Sequence, residues 1–146
     1  RAYALNIVGQ IPAELQNLTY LTYLNLDQNY LSGPIPSFIG QLSGLTELRM
    51  GFNALSGPIP KELGNLTNLN LLGISMTNFT GELPEELANL TKLQRLYTDS
   101  AGLGGPFPST FSKLKNLKLL YVQEQSHSCH VHFGFICSTL NMFLCL

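Results

Sequence analysis

The stretch Leu42-Ser-Gly-Leu45-Thr-Glu-Leu48-Arg-Met50-Gly-Phe-Asn53-Ala-Leu55-Ser-Gly57-Pro-Ile59-Pro60-Lys-Glu-Leu63-Gly-Asn65 is one unit of a 24-residue repeat. Its first leucine recurs as Leu18, Leu66, Leu90 and Leu114, and leucine follows three and six residues later in every copy: Leu21 and Leu24, Leu45 and Leu48, Leu69 and Leu72, Leu93 and Leu96, Leu117 and Leu120. Pro12, Pro36, Pro60, Pro84 and Pro108 share one repeat position, and Pro34, Pro58 and Pro106 share another, which accounts for all 8 prolines. Gly9, Gly33, Gly57, Gly81 and Gly105 hold a third. Proline fixes φ and donates no hydrogen bond, while glycine tolerates positive φ, so both punctuate turns. A period of this length predicts a solenoid, in which each unit buries its apolar face only against its neighbours.

Within the unit, Leu48 and Met50 alternate with Glu47, Arg49 and Gly51. Period two predicts a short strand with one buried face. Stacking equivalent strands gives a parallel sheet whose open face lines the concave side of a superhelix. Leu55, Ile59 and Leu63 are expected to return to the same core, and the Pro-Ile-Pro segment favours an extended or tightly turned return with at most a short helical turn near Lys61–Gly64. Asn29 and Asn53 follow the strand, where a buried amide can satisfy backbone groups left open by the turn. Thr77, Ala101 and Gln125 take that place further on, so looser loops are expected around Ala101, compensated by Gly102, Gly104 and Gly105. The expected fold is an α/β solenoid with few or no long helices. The solenoid is placed at 1–124: a partial repeat over 1–17, then repeats starting at 18, 42, 66, 90 and 114.

From Gln125 the glycine, proline and leucine registers lapse together. The tail 125–146 is therefore expected to lie outside the fold, as foreign sequence replacing further repeats. Its apolar end, Phe133–Leu146, is too short for a bilayer span of about 20 residues. All 3 cysteines, Cys129, Cys137 and Cys145, lie in this tail. An odd number cannot pair completely within the chain. His127, Cys129, His130 and His132 are close in sequence, but no second cluster with zinc spacing follows, so no metal site and no cofactor is expected.

The formal charge is −1 and 12% of residues are charged, which leaves no field for nucleic acid. The one basic cluster, Lys113, Lys115 and Lys118, reads as a solvated repeat edge. Asn17, Asn65, Asn78 and Asn89 each begin an Asn-x-Thr glycosylation sequon, and three of them share one repeat position. Four such sites point to the secretory pathway. The chain opens at Arg1, in mid-repeat and without a signal peptide, and is read as a mature or excised piece of a longer protein.

The pattern Leu-x-x-Leu-x-x-Leu-x-Leu-x-x-Asn-x-Leu-Ser-Gly-x-Ile-Pro, matched by Leu18–Pro36 and by Leu42–Pro60 with Met50 for one leucine, resembles the plant-specific leucine-rich repeat. Leu24-Asn-Leu-Asp-Gln-Asn-Tyr-Leu-Ser-Gly-Pro-Ile-Pro36 and the segment from Gly51 to Thr67 are similar to ectodomains of plant receptor-like serine/threonine kinases. The subfamily carrying a malectin-like domain is the most similar. The resemblance runs from Ala2 to about Val122 and implies repeats outside the cell, followed in such receptors by a membrane helix and a cytoplasmic kinase. The paired-cysteine cap that begins such ectodomains is not found in this sequence, and neither is a Gly-rich loop, His-Arg-Asp or Asp-Phe-Gly. The segment is thus expected to recognise rather than to catalyse, and membrane attachment would come only through other parts of the parent.

The open face is expected to carry Tyr23, Asn25 and Asp27; Glu47 and Arg49; Ser75; Arg95, Tyr97 and Asp99; and Tyr121 and Gln123. Most of these suit any solvated face. Tyr23, Arg49, Arg95, Tyr97 and Tyr121 are the ligand-binding candidates, because tyrosine and arginine bury area while keeping a polar handle. The expected partners are a protein, peptide or cell-wall glycan ligand, with a co-receptor, at the outer face of the plasma membrane or in the extracellular space. The alternative is a soluble secreted repeat protein, polygalacturonase-inhibitor-like or ice-binding. Ice binding calls for a regular array of small polar groups, which the varied residues of this face do not supply.

Overall fold

The computed structural model describes residues 4–123 and the strand Ser128–His132. The repeats starting at 18, 42 and 66 each contribute a first strand, a second strand and one short 3-10 helix, and the repeat starting at 90 contributes a first strand and a 3-10 helix. The first strands are β2 (Tyr23–Asn25), β4 (Glu47–Arg49), β6 (Leu71–Gly73), β8 (Arg95–Tyr97) and β9 (Leu119–Gln123). They pair in parallel with a register of one whole repeat, Leu24 opposite Leu48, Leu48 opposite Leu72, Leu72 opposite Leu96 and Leu96 opposite Leu120. The constant register is what lets the leucine ladder form. Leu48, Leu72, Leu96 and Leu120 are fully buried, as are Leu45, Leu69 and Leu93 from the turn before the strand.

A second parallel sheet joins β1 (Val8–Gly9), β3 (Tyr30–Gly33), β5 (Ala54–Pro58) and β7 (Asn78–Thr80). The sequence suggested an extended return at this point without anticipating a second hydrogen-bonded sheet. The 3-10 helices are η1 (Ala13–Asn17), η2 (Ser37–Gln41), η3 (Lys61–Asn65), η4 (Glu85–Asn89) and η5 (Ser109–Lys113). Each begins directly after the repeated proline, whose φ lies between −71° and −60°. Proline suits the place because it presets φ and withholds an N–H that a helix start would leave unpaired. Stacking of these helices is tight. A Cβ built on Gly40 would meet the Glu62 carbonyl oxygen at 2.2 Å, and one on Gly64 would meet that of Glu86 at 2.4 Å, so neither position admits a side chain without parting two repeats.

The asparagine ladder is as expected. Asn53 Nδ2 donates to the carbonyls of Leu26, Met50 and Gly51, and its Oδ1 accepts from the Leu31 N–H. Asn29 Oδ1 accepts from Leu5 and Ile7 while its amide donates to Leu26 and Asp27. Thr77 keeps part of this role by donating to the Ile74 carbonyl at 2.8 Å. At buried Ala101 the backbone substitutes: Phe79 N–H donates to the Ala101 carbonyl at 2.8 Å. Gly102, at φ +81°, then packs where a Cβ would meet the Phe79 carbonyl at 2.5 Å.

One short segment of 125–146 is described. Ser128–His132 forms β10, which reverses direction and pairs antiparallel with β9, Cys129 opposite Val122 and Val131 opposite Leu120. This strand runs against the others and is not a further repeat. The last parallel strand presents unpaired N–H and C=O groups, and such an edge templates pairing by any extended segment within reach. The rest of the tail, with Cys137, Cys145 and the apolar run from Phe133, lies outside the described residues. The side chains of the His127–His132 cluster do as well.

Candidate functional site

The open face of the first sheet is built from three rows, one for each outward position of the strand and the turn after it. Tyr23, Glu47, Leu71, Arg95 and Leu119 form the first, Asn25, Arg49, Gly73, Tyr97 and Tyr121 the second. Asp27, Gly51, Ser75 and Asp99 continue as the third. Charge and size change at each step, so the middle of the face is neither flat nor uniform.

Leu71 is an apolar residue between two charged ones on the open face, and it is fully buried. Its neighbours in register are Glu47 and Arg95, and Arg95 Nη2 lies 3.5 Å from Glu47 Oε1. The ion pair spans β6 and covers the leucine. Arg49 Nε approaches the other oxygen of Glu47 at 3.6 Å. One carboxylate thus holds two guanidiniums in place, although such partly exposed pairs contribute position more than stability.

Above this roof the face opens into a notch of about 290 Å³ lined by Asp27, Arg49, Gly51, Phe52, Gly73, Ser75, Tyr97, Asp99 and Tyr121. Gly51 and Gly73 leave its floor as backbone. At Gly51 this is obligatory, because a Cβ would meet the Ser75 carbonyl oxygen at 2.9 Å. At Gly73 the nearest atoms to a Cβ lie at 3.8 Å, so the opening there is a choice of residue and not a packing demand. Tyr97 and Tyr121 stack with ring centroids 5.2 Å apart and planes 21° from parallel, forming one wall. Phe52, half exposed in a left-handed turn conformation with φ 54°, forms the lip opposite.

The two carboxylates are held differently. Asp27 Oδ1 accepts from the Gly51 N–H at 2.7 Å. Burial pushes its carboxyl above the usual value, opposed by that hydrogen bond and by the nearby Arg49 guanidinium. Asp99 accepts from the Ser75 hydroxyl. It has no cationic partner among the described residues.

A raised folded-state pKa has a definite consequence. Below the unfolded value of 3.8 the Asp27 carboxyl is neutral in both states and makes no difference. Stability falls as pH rises from 3.8 through the raised folded value, where the unfolded state has released its proton and the folded state still holds it, and stays at the lower level above that window. Asn keeps the acceptor for Gly51 without the charge. Asp27→Asn is therefore expected to raise the melting temperature at pH 7 and to leave it nearly unchanged at pH 3. Thermal denaturation at the two pH values checks this, and an equal shift at both would contradict it.

Of the five ligand-binding candidates, the structure brings Arg49, Tyr97 and Tyr121 together in the notch. Arg95 lies in the adjacent row and is held by Glu47. Tyr23 stands apart on β2, where its hydroxyl accepts from Asn25 Nδ2 at 3.3 Å. Sequence reasoning missed Gly73 and Phe52. The departure from polar residues at Leu71 and Gly73 was the available signal for a gap in the row. The sequons Asn17, Asn65 and Asn89 each end a 3-10 helix and Asn78 begins β7, so none is on the open face of the first sheet, and all four residues are exposed.

The profile described as Leucine Rich Repeat matches residues 20–42 and 44–66. No curated protein sequence matches the chain. Among solved structures, the chain is similar to the plant peptide hormone receptor RGFR1 in complex with RGF2, at 36% identity and a TM-score of 0.79, covering 81% of this chain and 19% of that one. It is similar to the Arabidopsis receptor kinase HAESA in complex with the peptide hormone IDA and the co-receptor SERK1, at 41% identity and a TM-score of 0.73, covering 75% of this chain and 19% of that one. A plant ice-binding protein is also similar, at 34% identity and a TM-score of 0.70, covering 73% of this chain and 35% of that one. The chain thus spans about a fifth of the length of the receptors it resembles. With its repeated leucines in one ladder and its strands in parallel register, the chain is a leucine-rich-repeat solenoid whose structural neighbours include the ectodomains of plant receptor kinases.

Proposed function

We propose that this chain is an extracellular recognition module that binds a peptide or protein ligand on the open face of its first sheet, within a parent receptor kinase of the malectin-domain subfamily. The observation that carries the proposal is the notch itself. Gly73 leaves a gap where the neighbouring strands place Arg49 and Tyr97, and Gly51 keeps the floor beside it free of a side chain, so a ligand segment can enter between rigid, amphipathic walls. Ectodomains of similar build are complexed with peptide hormones and a co-receptor, which supports the same partner classes here. Selection of random linear peptides on the immobilised chain tests the proposal. Recovered peptides should bind at least tenfold more weakly to Tyr97→Ala, since truncating a buried aromatic anchor costs about 2 kcal/mol or more. Peptides that ignore Tyr97→Ala and Arg49→Ala alike would contradict it.

A second reading, a soluble ice-binding repeat protein, is favoured by the likeness to a plant ice-binding protein. The rows of the open face argue against it, because Glu47, Leu71 and Arg95 follow one another where a lattice match would need one small polar group repeated. Thermal hysteresis of the purified chain separates the two.

In a secretory pathway Asn17, Asn65 and Asn89 are expected to carry glycans, and Asn78 to follow less completely because it adjoins the strand. Intact mass before and after glycosidase treatment measures this. An unmodified secreted product would refute the glycan assignment.

A further inference from the structure

The notch has two chemically distinct ends. At one, Arg49 stands beside Asp27 and is also drawn to Glu47, so its charge is balanced within the chain. At the other, Asp99 stands beside the stacked Tyr97–Tyr121 wall with only a neutral hydroxyl, that of Ser75, holding it. Asp27 and Asp99 follow β2 and β8, three strands apart, which places their backbones about 14 Å from each other at the usual strand spacing. No single side chain reaches both, and the Asp99 end has its own chemistry.

We propose that the Asp99 end of the notch takes the guanidinium of an arginine side chain carried by an extended peptide ligand. Three observations converge on that group. The carboxylate lacks a cation of its own among the described residues, so an incoming one forms a charge-assisted hydrogen bond instead of displacing an internal partner. The tyrosine pair offers a flat π surface beside it, on which a planar guanidinium stacks as a compact ammonium does not. Phe52 offers an apolar edge to the aliphatic stem, the two glycines add no side chain to the floor, and a volume of about 290 Å³ suits one side chain better than a larger ligand. Ser75 fixes the orientation of the carboxylate before the ligand arrives, which lowers the entropy lost on binding.

This inference rests on the open face being the recognition surface, and its test separates the two. The probes are acetyl-Gly-Gly-Arg-Gly-Gly-amide and the same peptide with citrulline, which keeps the shape and loses the charge. Each is titrated into the isotope-labelled full chain and followed by backbone amide shifts. The arginine peptide should bind in the millimolar range, moving the amides of Gly73, Ser75, Thr98 and Asp99, and the citrulline peptide should bind about tenfold more weakly. Asp99→Asn should erase the difference between the two while leaving amides remote from the notch unmoved. Equal binding of both peptides at these amides would overturn the arginine assignment and leave the recognition surface standing. A preference that survives Asp99→Asn would also overturn it. If neither peptide moves a notch amide at ten millimolar, the arginine assignment fails, and the random-peptide selection decides the recognition surface by itself.

Discussion

Leu72→Ala is expected to lower stability by about 2–5 kcal/mol, a fall of roughly 10 °C in melting temperature for a chain of this size. Leu72 is fully buried, with Leu48 on one side and Leu96 on the other in strict register. Its side chain fills space that belongs to three repeats at once. Neither neighbour can move into the vacancy without breaking its own strand pairing, so the cavity term is retained and not relaxed away. Thr46→Ala is the control. Thr46 lies in the turn before β4, and its hydroxyl donates to the Thr22 carbonyl at 2.9 Å in an exposed setting, where losses stay within about 0.5–1 kcal/mol. Chemical denaturation of both variants measures the contrast. Equal, small losses would contradict the single continuous leucine core.

Asn53→Ala is expected to cost about 3 kcal/mol, far more than its one lost side chain suggests. The amide serves four backbone groups from two repeats, and the Leu31 N–H that it accepts is buried. Alanine leaves that donor without its acceptor and removes the donor shared by the Leu26, Met50 and Gly51 carbonyls. Each buried polar group left unsatisfied costs on the order of 1–3 kcal/mol. Asn68→Ala provides the comparison, because Asn68 donates to the Ser43 carbonyl at 3.1 Å and accepts from Lys92 Nζ at 2.7 Å, both in an exposed setting where water replaces the lost partner. It should be nearly silent in the same denaturation experiment. A result in which both asparagines matter equally would remove the ladder from the account of stability.

The core and the open face were legible in the sequence to different depths. Leucine spacing announces the first sheet because a constant repeat length forces a constant register, and the buried side of each strand then follows from period two. The prolines located the 3-10 helices without revealing their type, since a fixed φ suits extended and helical continuations alike. The second sheet was not legible: Leu55 and Phe79 announce burial, but the pairing of β5 with β7 is made by backbone groups that leave no mark on residue type. Within the face, Arg49, Tyr97 and Tyr121 were identifiable one by one. Their assembly was not, because it depends on what two other repeats omit. Gly73 in a sequence is merely small, and only its place between Arg49 and Tyr97 turns it into an opening. The burial of Leu71 was hidden for the same reason, since Glu47 and Arg95 meet across it from 24 residues away on either side.

The open face as the recognition surface is the central claim, and filling Gly73 tests it most directly. A Cβ at this position finds only ordinary contacts, at 3.8 Å from Arg49 and Leu71, and the backbone there does not need glycine's left-handed region. Gly73→Phe should therefore fold with an unchanged melting temperature while its ring occupies the notch. Dissociation constants of peptides selected on the unmodified chain are then measured against Gly73→Phe and against Tyr20→Ala, whose side chain is 96% exposed and which lies outside the notch. The expected result is a loss of at least tenfold on Gly73→Phe and none on Tyr20→Ala. Undiminished binding to a folded Gly73→Phe chain would contradict the claim.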